Sequence, residues 1–243
     1  MGMIPLVHQV YCEEGFYHML LKQIQTQVTP QQFDQIVQEV AILYRQNRQG
    51  VKDRSPVTML ERKHLKNCQV LPSRMDLLDE LKEYKKVAEI GVADGDFSKA
   101  ILERTDVEEL HLVDSWDSDR YSAGRMNCER KFEKELQAGK IIIHQGLSTD
   151  MIPTLQDDYF DWVYIDTDHS YVLTAQELQL VASKVKKGGF ICGHDFCTGN
   201  VVGGVPYGVI EACHEFAKRE EWEYRYITFE SEGHFSFALK KIE

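Results

Sequence analysis

The chain has 243 residues, and its 39 acidic against 28 basic residues give a formal net charge of −11 at pH 7. A hydrophobic fraction of 43% is enough for a packed core and excludes a disordered chain, while the negative charge argues against nucleic acid as a partner. No apolar run reaches the ~18 residues of a membrane span, and six irregularly spaced cysteines indicate reduced thiols in a cytoplasmic protein.

The first 70 residues contain helical patterns and no convincing strand. Thr29-Pro30 predicts a helix start, with an N-cap followed by proline at the first helical position. Apolar residues then recur at helical spacing: Phe33, Ile36, Val37, Val40, Leu43 and Tyr44. We expect the basic polar stretch 45–54 to end this helix and Ser55-Pro56 to begin a second one. Residues 1–70 are therefore predicted to form a helical cap or a dimerisation region.

Beyond residue 70, short apolar segments alternate with helical patterns. Strands are predicted at 87–90, 110–114, 141–144, 162–166, 190–193, 224–229 and 235–239. Helices are predicted around 77–81, 97–102, 125–136, 178–185 and 209–216. This alternation indicates an α/β fold with a seven-stranded, mostly parallel sheet, helices on both faces and an antiparallel last strand. Ligands of such sheets bind beyond the carboxyl ends of the strands, so functional residues are expected there.

The first predicted strand ends in the segment E-I-G-V-A-D-G, residues 89–95. Glycines four residues apart at a strand-to-helix turn let a ligand approach the backbone, and the helix start offers unpaired N–H groups. The spacing differs from the G-x-G-x-x-G of dinucleotide sites, and the acidic loop would repel a pyrophosphate. Asp114 lies 19 residues beyond Gly95, at the end of the second strand, where a carboxylate can accept both hydroxyls of a ribose.

This combination resembles the class I S-adenosylmethionine-dependent methyltransferases, which have a Rossmann-like fold. In that family E-x-G-x-x-x-G holds the methionine part of the cofactor, and the acidic end of the second strand binds its ribose. The resemblance implies a methyltransferase domain over residues 71–243, with S-adenosyl-L-methionine as cofactor. The cofactor-binding residues that it implies are Glu89, Gly91, Val92, Gly95, Ser98, Asp114, Ser115, Trp116, Gly146, Leu147, Ser148 and Asp166.

Two later segments are similar to one bacterial branch of that family. The segment 161–171 resembles the I-D-G-D-H-S-Y segment of small-molecule O-methyltransferases akin to macrocin and antibiotic-sugar O-methyltransferases, with Thr167 in place of the glycine. Residues 188–196 reproduce the G-G-x-x-x-G-H-D-[YF] segment of the same branch. The resemblance implies methyl transfer to a hydroxyl of a small molecule, and a homodimer would be usual for this branch.

Methyl transfer to oxygen needs a hydroxyl in line with the sulfonium methyl and a base or metal to deprotonate it. Asp166, His194 and Asp195 are expected at adjacent strand ends, spaced like the metal ligands of magnesium-dependent O-methyltransferases. A divalent metal, magnesium or manganese, is one expectation. Because magnesium prefers oxygen ligands, the nitrogen of His194 favours manganese, iron or zinc, or no metal. His169 is the predicted base, assisted by Asp166, since an imidazole titrates near pH ~6.5.

Several alternatives stay open at this point. An N-methyltransferase would need neither base nor metal, and a non-catalytic cofactor-binding module would not need His169. The possible zinc ligands lack the paired spacing of zinc motifs, so the cysteines among them are expected to be thiols of the core. These residues are Cys192, His194, Cys197, Cys213 and His214. The glycine-rich stretch 196–210 is predicted to be a flap over the substrate or a surface loop.

Overall fold

The computed structural model describes residues 22–117, 121–201 and 204–243. They fold as two compact units, one comprising the described residues up to Arg54 together with Gly199–Pro206, the other Ser55–Thr198 with Tyr207–Glu243. The boundary falls after Arg54, whereas the sequence predicted a division after residue 70. Throughout the described residues, every helix is too short or too polar to cross a bilayer.

The helices and strands are numbered in chain order. The strands are β1 (Gln69–Leu71), β2 (Lys86–Ile90), β3 (Glu109–Asp114), β4 (Ile141–Gln145), β5 (Phe160–Ile165), β6 (Val185–Gly193), β7 (Gly199–Asn200), β8 (Val205–Pro206), β9 (Trp222–Thr228) and β10 (Phe237–Lys241). The helices are α1 (Pro30–Asp53), α2 (Arg74–Glu80), α3 (Asp96–Arg104), α4 (Gly124–Lys131), α5 (Glu133–Gln137), α6 (Ser148–Met151), α7 (Tyr171–Val181) and α8 (Val209–Glu220). Residues 22–27 are also helical, and Arg62–Leu65 and Ile152–Thr154 form 3₁₀ turns.

The smaller unit is built on α1. Thr29 caps this helix reciprocally with Gln32: its hydroxyl accepts the Gln32 N–H, and the Gln32 side chain accepts the Thr29 N–H. The predicted start is therefore confirmed. The predicted break at residue 45 is wrong, because the arginines, glutamines and lysine of this stretch are good helix formers and α1 continues to Asp53. The expected helix from Ser55 is also wrong, since the next helical turn begins at Arg62.

The larger unit is built on an eight-stranded sheet in the order β1-β9-β10-β6-β5-β2-β3-β4. Only β10 runs antiparallel to its neighbours, so the antiparallel last strand is confirmed. The predicted count of seven strands is wrong, because β1 adds an eighth at the edge, parallel to β9. This strand has three residues, and Val70 at its centre is 69% exposed. So short and solvated a segment shows no alternating pattern in the sequence.

Helices cover both faces of this sheet. Along the central strand β5, Trp162 and Tyr164 pack on one side with Ile101 of α3. Val163 and Ile165 pack on the other side in a cluster that includes Leu178 of α7 and Phe216 of α8. Because β6, β5, β2 and β3 are consecutive in the sheet and parallel, their carboxyl ends lie side by side along one edge.

Candidate active site

The loop after β2 is fixed against the end of β5. The Gly91 N–H donates to the carbonyl of Val113 at 2.8 Å, and the Asp166 N–H donates to the carbonyl of Ile90 at 2.8 Å. Gly91 has a φ of +89°, and a Cβ built on it would lie 1.9 Å from the Asp166 carbonyl oxygen. Only glycine therefore fits here, because the loop packs against the backbone of Asp166; the close approach of a ligand that the sequence predicted stays a prediction.

Asp114 holds the glycine loop through its carboxylate. Its Oδ2 accepts the backbone N–H groups of Val92 at 2.7 Å and Ala93 at 2.9 Å, and its Oδ1 accepts that of Trp116 at 2.9 Å. A carboxylate offers about four acceptor positions, so one is left open. Asp114 can accept one ribose hydroxyl without giving up a loop contact, and the predicted pair would require one of these bonds to break.

Glu89 and Ser98 lie beneath the loop. They are 1% and 0% exposed, and the Ser98 hydroxyl donates to Glu89 Oε2 at 2.5 Å. Burial raises the pKa of Glu89 to about 8, although the bond from Ser98 opposes the shift. The two side chains join the end of β2 to α3, whose N-cap is Gly95. As placed here they support the loop from below, and neither is open to a ligand.

Four more of the predicted cofactor-binding residues lie at the ends of β3 and β4: Ser115, Trp116, Gly146 and Leu147. The Gly146 N–H donates to the Asp114 carbonyl at 2.9 Å, which brings the two strand ends together, and Leu147 beside it is 53% exposed. The Ser115 hydroxyl donates to Asp117. Trp116 is 5% exposed and turns back towards the glycine loop, where its indole N–H donates to the Ala93 carbonyl at 2.8 Å.

Glu177 of α7 is a buried carboxylate that the sequence reasoning missed. It is fully buried, and its Oε2 accepts the hydroxyl of Thr167 at 2.8 Å. A bond with Ser148 also holds it, whereas Oε1 has no partner among the described residues. Burial raises its pKa to about 7 against the effect of these two bonds. The available signal was its place beside Leu178 on the buried face of α7.

We expect Glu177→Gln to stabilise the fold at high pH. The pKa of Glu177 is 4.5 in the unfolded chain and about 7 in the folded one. The protonated carboxyl therefore stabilises the fold fully below pH ~4.5, and this stabilisation is lost as pH rises through ~7. Glutamine stays neutral, and its carbonyl still accepts the Thr167 hydroxyl. The free energy of unfolding, measured by urea denaturation, should change little at pH ~5 and increase by about 1 to 3 kcal/mol at pH ~8. Equal effects at both pH values would contradict the assignment.

Asp166, His169 and Asp195 form a compact cluster at the ends of β5 and β6. The Nε2 atom of His169 lies 3.1 Å from Asp166 Oδ1 and 2.9 Å from Asp195 Oδ2, so one ring nitrogen bridges two carboxylates. His169 and Asp195 both have left-handed backbones, with φ of +63° and +54°. Such backbone conformations are uncommon outside glycine and collect at functional sites.

Two further histidines and a cysteine border this cluster. His194 Nδ1 lies 3.4 Å from Asp195 Oδ2 and 3.7 Å from Asp166 Oδ2, so the three predicted metal ligands do come together. His234, in the loop between β9 and β10, contacts Asp195 Oδ1 through its Nδ1. The thiol of Cys197 lies 3.9 Å from the same His234 nitrogen. Neither His234 nor this position of Cys197 was expected.

The two carboxylates change the acid–base state that was expected for His169. Burial alone would lower the pKa of its imidazole, but hydrogen bonds to Asp166 and Asp195, with their negative charges, raise it to about 9. The pKa of Asp195 shifts in the opposite direction. Burial alone would raise it, yet the hydrogen bonds with His169 and His194 hold it well below the usual range. His169 therefore carries a proton on Nε2 at neutral pH, and the expected titration near ~6.5 is wrong.

The donor atoms of this cluster can hold a divalent cation in place of the proton on His169 Nε2. Two ligands at right angles around an ion at ~2.1 Å lie about 3.0 Å apart. The separations from His169 Nε2 to the two carboxylates, 2.9 and 3.1 Å, are close to this value, and one donor atom each from Asp166, His169 and Asp195 lie within 4.8 Å of one another. With imidazole nitrogens beside two carboxylates, the set suits manganese, iron or zinc better than magnesium.

Comparisons with known proteins agree with the fold and the loop. Residues 88–196 match the model of a family described as a methyltransferase domain. No curated protein matches the chain significantly. The matched segment begins within β2 and ends at Phe196, so it contains both the glycine loop and the Asp166–Asp195 cluster.

Solved structures share this fold at low sequence identity. The O-methyltransferase TomG from Streptomyces achromogenes, involved in tomaymycin synthesis and solved with S-adenosylmethionine, is 16% identical, with a TM-score of 0.51 over 70% of this chain and 80% of that one. A candidate rRNA methylase from Clostridium thermocellum is 12% identical, with a TM-score of 0.52 over 70% and 94%. A spermidine synthase is 17% identical, with a TM-score of 0.50 over 69% of this chain.

The match covers 61% of the length of that synthase, so this chain corresponds to only part of it. At these identities the structural similarity shows the fold alone, and it covers several kinds of transfer reaction. The family match adds the glycine loop and the strand ends that follow it. Together they show a match to a methyltransferase-domain family over residues 88–196, within a Rossmann-like fold that solved methyltransferases share.

Proposed function

We propose that this chain transfers a methyl group from S-adenosylmethionine to a hydroxyl of a small molecule. The observation that carries the proposal is the bridge from His169 Nε2 to Asp166 and Asp195, at 3.1 and 2.9 Å, beside the loop where the cofactor of this fold binds. A hydroxyl must lose its proton as it attacks the methyl, and an acid–base cluster beside this loop supports that assignment.

The cofactor would lie along the edge formed by the glycine loop and the ends of β3 and β4. Asp114, with one acceptor position open, would take a ribose hydroxyl. The backbone at Gly91, Val92 and Gly95 would face the methionine part, and Leu147 would lie against the adenine. Acidic side chains at this edge favour a cationic sulfonium over a dinucleotide pyrophosphate.

At the acceptor end, the chain's own residues would position the hydroxyl and hold its proton. Asp166 and Asp195 keep the His169 ring in one orientation, because each accepts from the same nitrogen. The carboxylate oxygens of Asp166 can accept the acceptor hydroxyl and aim it at the methyl group. His169 would first release its Nε2 proton to solvent water, to which its side chain is 19% exposed, and the neutral nitrogen would then take up the proton of the hydroxyl.

His169→Gln is expected to slow methyl transfer by about a hundredfold, since glutamine cannot take up a proton. Affinity for S-adenosylmethionine, measured by calorimetry, should change by less than about threefold, because His169 lies outside the glycine loop. His144→Gln is the matched control: His144 hydrogen-bonds His111 at 2.9 Å, away from the cluster. Equal rates for wild type and His169→Gln, with any acceptor, would point to an amine acceptor that needs no base.

We also propose, as the alternative to His169 acting as the base, that Asp166, His169, His194 and Asp195 hold a divalent cation, with manganese, iron or zinc preferred. An ion bound to His169 Nε2 would take the place of the proton there, so that the ion and not the imidazole would activate the hydroxyl. Such an ion lowers the pKa of a bound hydroxyl and orients it. Removing metal with a chelator should lower the rate by at least about tenfold, and adding manganese should restore more of it than adding magnesium. Activity that is insensitive to chelation, together with a chain free of bound metal by mass spectrometry, would count against this part of the proposal.

The decisive test is turnover with labelled S-adenosylmethionine and a panel of hydroxylated and amino-bearing small molecules. Formation of S-adenosylhomocysteine with a methyl ether product, identified by NMR, supports the proposal. A methylated amine would make the chain an N-methyltransferase, and tight cofactor binding without turnover would make it a binding module. Homodimerisation and a cytoplasmic location belong to the same proposal, and light scattering of the full chain tests the former.

A further inference from the structure

We propose that Asp195, Cys197 and His234 form a second divalent-metal site, of the kind that zinc occupies, which shares the Asp195 carboxylate with the first cluster. The two oxygens of Asp195 face different ways: Oδ2 lies 2.9 Å from His169 Nε2, whereas Oδ1 contacts His234 Nδ1. One carboxylate can therefore serve two ions. Although the Asp195 carboxylate is shared, the second site requires neither methyl transfer nor a metal at the first.

The spacing of the three side chains suits a tetrahedral ion. One donor atom from each of Asp195, Cys197 and His234 lies within 4.8 Å of the other two. The Cys197 sulfur is 3.9 Å from His234 Nδ1. Around tetrahedral zinc, with bonds of ~2.3 Å to sulfur and ~2.0 Å to nitrogen, these two atoms would be about 3.5 Å apart. Small side-chain movements bring all three onto one ion.

Backbone hydrogen bonds hold the ligand-bearing segments together. The Phe196 N–H donates to the carbonyl of Phe235 at 2.9 Å, which fixes the loop after β6 against the loop that carries His234. The Cys197 N–H donates to the Asp195 carbonyl at 2.7 Å, so a tight turn sets these two residues side by side. The left-handed backbone of Asp195 belongs to the same turn. The site is largely preorganised.

The donor types select the ion. A thiolate, an imidazole and a carboxylate form a borderline-soft set that zinc binds well and magnesium does not. The sequence favoured core thiols here, and Cys192 and Cys213 are indeed fully buried. Cys197 differs, because it is only partly buried and lies next to a histidine 37 residues downstream. The His234 side chain is 32% exposed, which leaves one side of the site open to solvent or a ligand.

Cobalt(II) is the probe for this site, since it replaces zinc and gives a thiolate-to-metal absorption band in the near ultraviolet. Titration of the full chain with cobalt should produce the band, and zinc should abolish it. Cys197→Ser should eliminate the band, and His234→Gln should raise the cobalt dissociation constant by at least about tenfold. Cys68→Ser, at a partly buried cysteine outside the cluster, is the control and should keep the band.

Each outcome decides the proposal. A wild-type chain without the band overturns it, as does a band that survives Cys197→Ser and disappears with Cys68→Ser. Circular dichroism checks that each variant is folded, and metal content by mass spectrometry should fall by one zinc per chain in Cys197→Ser. Asp166→Asn, which alters only the first cluster, should keep the band. A band without methyl transfer to any acceptor would leave this site standing while removing the proposed function.

Discussion

Asp195→Asn is expected to lower the rate of methyl transfer by at least about a thousandfold while the chain stays folded. Asp195 is only 6% exposed, and its carboxylate is the shared partner of His169, His194 and His234. Asparagine removes the negative charge and turns one acceptor into a donor, so a buried imidazolium loses half of its counter-charge. Steady-state kinetics should show the loss in kcat, with the KM for S-adenosylmethionine nearly unchanged.

The control for this variant is Asp168→Asn, three residues before the α7 helix. Asp168 Oδ1 accepts the N–H and the hydroxyl of Ser170, both at 2.8 Å, so its carboxylate serves the start of α7 and not the cluster. We expect less than about a tenfold change in kcat and about 1 kcal/mol of lost stability. Equal losses of kcat in the two variants would show that the negative charge of this region, and not the contact of Asp195 with His169, supports the reaction.

Apolar periodicity was sufficient to predict most of the fold. The central strands are almost wholly buried, as in β5, where Trp162, Val163 and Tyr164 are fully buried, and such runs are conspicuous in a sequence. The edge strand β1 was missed because its stability comes from backbone pairing with β9, which leaves no apolar signature. The length of α1 was missed because a polar stretch of good helix formers looks the same in a helix and in a loop.

The site was predictable where it is local in sequence. Asp114 ends a strand, and Gly91 and Asp166 each follow one directly, so the topology of a parallel sheet brings them to one edge. His234 could not be predicted in this way, because it lies in a loop without any motif and reaches Asp195 only through the antiparallel return of β10. His234 contacts the cluster directly, but its separation from Asp195 along the chain gives no sign of that contact.

The protonation state of His169 illustrates a different limit. A sequence supplies the ordinary pKa of an imidazole, but the shift depends on which charges surround the ring in space. Asp166 is a near neighbour in the chain and Asp195 is not, and together they outweigh the effect of burial on the pKa of His169. The same reasoning explains why Glu177 was missed: its raised pKa comes from burial in a helix face that the sequence marks only as apolar.

Gly91→Ala is expected to abolish cofactor binding and to reduce the free energy of unfolding by about 3 to 5 kcal/mol. The added Cβ would lie 1.9 Å from the Asp166 carbonyl oxygen and 2.6 Å from its carbonyl carbon, and both atoms belong to the backbone. They can move only if the ends of β2 and β5 separate. That separation would break the bond from the Asp166 N–H to Ile90 and displace the loop that Asp114 holds.

Gly139→Ala separates the clash from backbone strain. Gly139 also has a left-handed backbone, with a φ of +70°, but a Cβ there meets nothing within 4 Å. It should therefore cost only about 1 to 2 kcal/mol of conformational strain and leave cofactor binding intact. Urea denaturation and calorimetric titration with S-adenosylhomocysteine measure both quantities. If Gly91→Ala were no more destabilising than Gly139→Ala, the ends of β2 and β5 could not be in the close contact that joins the cofactor loop to Asp166. The position of the cofactor and the position of the acceptor would then be determined by separate parts of the chain.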